Sequence, residues 1–158
     1  HDSIIDAKYA CKDFVTQSLL APSTAEFQPE REFEAIKASG TSTDTVRLNI
    51  VAEDLAKGYS DMDQIWDFQK KYEVLTIEQL GETNEAFNSF NIVEAQKIVA
   101  TGLLSLFSKS DYLVHGFVDA QNAFGAKLRT QFLCLVTHNK ASASGTGTWR
   151  LDKIITIP

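Results

Sequence analysis

The run Asp111-Tyr-Leu-Val-His-Gly-Phe-Val-Asp-Ala-Gln-Asn-Ala-Phe-Gly-Ala-Lys-Leu-Arg-Thr-Gln-Phe-Leu-Cys-Leu-Val-Thr-His138 decides the fold. Its apolar residues recur with period two over 112–118 and again over 127–138, the spacing of strands that bury one face. Between the two runs, Asn122 and Gly125 suit the left-handed backbone of a turn. A third alternating run, 149–157, follows a Ser/Gly-rich loop at 140–148. The three runs read as an antiparallel meander.

Upstream the period changes to that of helices. Ile4, Ala7, Cys11, Phe14 and Ser18 share one helical face, and Pro22 ends that helix by restraining Ala21. Helical spacing returns over 61–72, 76–87 and 92–108, with Ser60 as the expected N-cap of the first of these and Asp61 and Asp63 in its first turn. Val46, Leu48 and Ile50 alternate with Arg47 and Asn49, which predicts a half-buried strand over 45–51, paired with a strand over 32–38 through a turn at 39–44. The order helix, hairpin, helices, meander predicts an α+β fold: an antiparallel sheet with a C-terminal three-strand meander, packed against an N-terminal helix and a helical middle segment. At 158 residues the chain is expected to be a single domain over 1–158, with 52–109 as a helical insertion or subregion covering the sheet.

Composition narrows the function classes. Hydrophobic residues make up 44% and charged residues 23%, so the chain is neither disordered nor low in complexity. The net charge is −6, and Lys70-Lys71 is the sole adjacent basic pair, so no stripe exists to neutralise a row of phosphates. Nucleic acid is excluded as an expected partner. The most apolar stretch, 92–107, is interrupted by Glu94, Gln96 and Lys97 and falls short of a membrane span.

No motif carries catalysis. Asp61, Asp63 and Asp67 miss the EF-hand pattern, because Ile65 and Trp66 stand where an oxygen ligand and Gly are required. Cys134 and His138 lie about 13 Å apart along a strand, too far for one ion. Cys134 with His115 lacks a third, orienting residue and sits within Phe132, Leu133, Leu135 and Val136. No catalytic residue, no metal site and no cofactor is expected. On their own, Cys11 and Cys134 fit one long-range disulfide or two buried thiols equally well.

The connection 119–125 is the most informative polar segment. It places Phe124 among Gln121 and Asn122 on a turn longer than a minimal hairpin. Two roles compete: Phe124 folds back to pin the turn, or Gln121, Asn122 and Phe124 face a partner.

Two stretches are similar to a known group. Cys11-Lys-Asp-Phe-Val-Thr-Gln-Ser-Leu-Leu-Ala-Pro-Ser-Thr-Ala-Glu-Phe27 follows a pattern Cys-x3-Val…Pro-x2-Ala-x-Phe, and Gly116-Phe-Val-Asp-Ala-Gln-Asn-Ala-Phe-Gly-Ala-Lys-Leu-Arg129 continues to Cys134 and Trp149. Together they resemble small exported or lipoprotein-tethered domains of bacteria and bacteriophages that have no assigned function. The resemblance covers about a third of the chain. It implies an extracytoplasmic location, in the periplasm or at the cell surface, and a Cys11–Cys134 bridge; it implies no catalytic residues.

The expected function is therefore a non-enzymatic, envelope-associated module that binds or inhibits another protein. A lipid anchor ahead of His1 and a homo-oligomeric state are both compatible with that reading. Two rivals remain at this stage: a hydrolase or other enzyme with a site between the helical middle and the sheet, and an oligomeric structural scaffold.

Overall fold

The computed structural model describes residues 3–139 and 148–157. They form two compact units, one from the chain before residue 39 and after residue 109, the other from 39–109. The first unit holds one α-helix, α1 (Ser3–Ser18), two 3-10 turns at Pro22–Thr24 and Glu30–Glu32, and five strands: β1 (Glu26–Phe27), β2 (Glu34–Lys37), β3 (Tyr112–Gln121), β4 (Lys127–Asn139) and β5 (Thr148–Ile157). The second holds α2 (Ser42–Ala56), α3 (Met62–Tyr72), α4 (Ile77–Asn88) and α5 (Ile92–Phe107). The fold is α+β with an antiparallel sheet and a C-terminal meander, as the periodicity predicts. The loop expected at 140–148 falls, up to residue 147, outside the described residues.

Alternation explains the sheet. β3 and β4 pair in unbroken register from Tyr112↔Val136 to Gln121↔Lys127, and β5 lies on the far side of β4. Val114, Val118, Phe132, Cys134 and Val136 point to one face and are buried there together with Ala7, Cys11 and Val15 of α1. Those three helical positions, spaced four apart, put one stripe of α1 on the sheet. Phe33 and Phe132 meet edge to face at 5.4 Å, with Phe27 packed at 6.0 Å from Phe132.

β3 shares its other edge between two short strands. β2 pairs with its first half, from Glu34↔His115 to Lys37↔Tyr112, and β1 with Val118 and Asp119. In the gap, the Gln28 side chain takes the place of a strand: its Oε1 accepts the Phe117 N–H at 2.8 Å. Gly116 is required beside it, since a Cβ would stand 2.7 Å from Phe132 and 2.9 Å from Phe33. On the β4 side of the meander, Leu135 pairs with Lys153 but Val136 pairs with Leu151, which leaves Asp152 as the extra residue of a bulge.

The helical unit departs from expectation at its start. Residues 45–51 are not a strand but part of α2. Thr41 and Asp44 form a capping box, the Thr41 hydroxyl accepting the Asp44 N–H and the Asp44 carboxylate accepting the Thr41 N–H. Leu48, Ala52, Leu55 and Ala56 are buried at helical spacing, whereas Val46 and Ile50 face outward at 58% and 51% exposure. β2 consequently pairs with β3 rather than with 45–51, and the helical unit begins at Ser39, not at Ala52. The cap of α3 is Asp61, not Ser60: the Asp61 carboxylate accepts the Gln64 N–H at 2.9 Å, while Ser60 donates its N–H to the Gln64 side chain.

The later helices match their predicted spans, with Thr76 and Asn91 capping α4 and α5. The Gln69 amide clamps Leu75, donating to its carbonyl and accepting its N–H, both at 2.7 Å. Gly102 leaves room for Leu75, whose Cδ2 would lie 2.5 Å from any Cβ there. Tyr59 packs on Phe68, and burial, aided by Tyr72, pushes its phenol up to about 12. Among the described residues no helix is long and apolar enough to cross a membrane.

Candidate functional site

The β3–β4 connection builds a turn that needs no help from its aromatic side chain. Asn122 closes it: its N–H donates to the Ala126 carbonyl at 2.9 Å, and its side-chain Oδ1 accepts the N–H groups of Phe124 and Ala126 at 2.9 and 3.0 Å. The Gly125 N–H returns to the Asn122 carbonyl, with φ at +79°, a conformation that glycine adopts without strain. Phe124 stands out from this frame, 94% exposed. Of the two competing roles, pinning the turn is the one the geometry does not support.

The strands beneath the turn hold it in place. The Arg129 guanidinium donates two bonds to Asp119, at 2.9 and 3.0 Å, and lies 4.0 Å over the Phe117 ring. That guanidinium keeps the Asp119 carboxyl below the usual carboxylate range. Lys127 pairs with Glu26 at 2.5 Å, and the Gln121 N–H donates to the Thr24 hydroxyl at 3.0 Å. Gln121 and Phe124 are exposed, Asn122 is half-buried, and Leu128 adds an apolar side chain at 54% exposure on the strand just after the turn. The sequence-predicted trio is therefore together at one hairpin tip, with Asn122 building the turn and Phe124 and Gln121 facing outward.

The remaining candidates fall elsewhere. Cys11 and Cys134 share the core beneath α1, both fully buried and both free thiols. Cys134 lies opposite Val114, one residue out of step with His115, so the two point to opposite faces of the sheet. The His115 ring meets Gln131 at 3.3 Å instead. Among the described residues no three His, Cys, Asp or Glu side chains converge as a metal site.

Two features escaped the sequence reading. A groove of about 500 Å³ runs between α2 and α5, lined by Asn49 and Glu53 on one helix and by Val93, Lys97, Ala100 and Leu104 on the other. At the β5 bulge, Asp152 accepts from the hydroxyls of Ser110 (2.6 Å) and Thr137 (2.5 Å) and from the Arg150 guanidinium (2.8 Å). Partial burial pushes this carboxyl up, but the three donors and the Arg150 charge outweigh it and bring it below its ordinary value. Ser110 and Thr137 stand far from Asp152 in sequence, so no local spacing could have announced the cluster. No family model, no curated protein and no solved structure matches this chain.

Proposed function

We propose that the protein is a non-enzymatic, extracytoplasmic module of bacterial or phage origin that binds, and by binding blocks or shields, another protein. The observation that carries the reading is Phe124: a large aromatic at 94% exposure on a turn whose hydrogen bonds are made without its side chain. Exposing so much apolar surface gains nothing for folding, and rigid aromatic side chains on well-anchored loops are common anchors of interfaces. The export-family patterns around Cys11 and Gly116 support the compartment.

The test uses two equally exposed phenylalanines. A photoreactive residue placed at 124, and as a control at Phe90 (92% exposed), is activated in intact cells. The expected result is a discrete protein cross-linked from 124 and not from 90. The purified partner then binds the Phe124→Ala variant about thirtyfold more weakly, the size of a hot-spot loss of about 2 kcal/mol. Unchanged affinity in Phe124→Ala, with the melting temperature also unchanged, removes the tip from the binding surface.

A further inference from the structure

We infer that Cys11 and Cys134 close to a disulfide that staples α1 to the central strand β4, and that the bond forms before α1 docks on the sheet. The inference rests on where the two side chains lie, and is independent of the reading of Phe124. Cys11 sits at the middle of the buried stripe of α1, between Ala7 and Val15. Cys134 sits at the middle of β4, between Phe132 and Val136 on the same face. Both are 0% exposed and belong to the same buried cluster of the core. The fold thus brings together two sulfur atoms far apart in the sequence, in a core that is otherwise hydrocarbon and aromatic.

The same burial sets the order of events. Thiol–disulfide exchange needs a thiolate that an oxidant can reach. In the folded protein neither condition holds: the core excludes an external disulfide, and burial raises the Cys11 thiol further from ionisation, with Cys134 beside it adding to the shift. Before α1 docks, both thiols are open to solvent. There the Cys11 thiolate attacks one sulfur of an external disulfide such as oxidised glutathione, breaking its S–S bond and releasing one glutathione thiolate. The Cys134 thiolate then attacks the Cys11 sulfur of the mixed disulfide and releases the second. The protein loses two electrons and two protons, and one oxidised glutathione becomes two reduced molecules.

The experiment follows the whole chain by mass. Reduced protein is unfolded in urea, refolded in the presence of oxidised glutathione, then denatured and alkylated without reductant. The expected product is monomeric, about 2 Da lighter than the reduced chain, and takes up no alkyl group. A refolded product carrying two alkyl groups overturns the bond. In parallel, protein folded under reductant is transferred to the same oxidant without urea, and its bridging is expected to be at least a hundredfold slower than in the urea-unfolded sample. Equal rates in the two samples overturn the proposed order.

Discussion

Asn122 and Phe124 divide the labour at the hairpin tip, and substitutions separate them. The Asn122 side-chain Oδ1 accepts two of the bonds that define the turn, and Asn122→Ala, which keeps the backbone N–H but loses both, is expected to lower stability by about 1–2 kcal/mol, visible as a drop in the thermal midpoint. Phe124→Ala is expected to leave that midpoint within about 0.5 kcal/mol of wild type, the ordinary range for a surface substitution. The turn itself was legible, because Asn and Gly tolerate backbone angles that other residues avoid. The direction of the Phe124 ring was not, since composition says which residue stands at a tip but not whether its side chain folds back. Asp152 was invisible for a different reason. Its role depends on a bulge that turns it toward Ser110 and Thr137, and a single skipped pairing leaves no trace in the alternation of β5.

At the scale of elements, α2 is where the sequence misleads. Val46, Leu48 and Ile50 alternate as a strand would, and β-branched residues favour that reading. The longer pattern wins: Leu48, Ala52, Leu55 and Ala56 bury a helical stripe, and the Thr41–Asp44 box satisfies N–H groups that a strand would not leave open. If the box fixes the start of this helix, Thr41→Ala costs about 1 kcal/mol, measured by urea titration with an unchanged m value. No loss of stability would mean that the buried stripe alone holds α2. The strands of the meander were legible because their period is short and each run is long. The two-residue β1 and the four-residue β2 were not, or only in part, because such short segments carry too little pattern and owe their pairing to β3.

At the scale of the whole molecule, acid reports on the Asp152 cluster. Its folded carboxyl lies below its unfolded value near 3.9, so the stability it contributes is present above about pH 4 and is lost as the pH falls through the folded value. Asp152→Asn, which cannot ionise, is expected to flatten the fall in stability below pH 4; an unchanged acid limb would assign that fall to other carboxylates. The α+β plan was readable from order and period, but the way the two units are threaded was not. Ala38 donates its N–H to the Asp111 carbonyl at 2.9 Å, extending the β2–β3 ladder by one bond, so the chain leaves the sheet and re-enters it at neighbouring positions. This has a kinetic meaning. Pairing β2 with β3 in an open chain requires closing a loop that includes all of 39–109, with a correspondingly large entropic penalty. Helices made from local contacts can form first, and once they pack, their ends are already neighbours and the long loop has become a short one. In that order the helical unit, once formed, shortens the loop that β2 and β3 must close. Stopped-flow refolding tests the order: Ala52→Gly in α2 is expected to slow folding, whereas Ala35→Gly in β2 is expected chiefly to speed unfolding, and the opposite assignment would put the strands first.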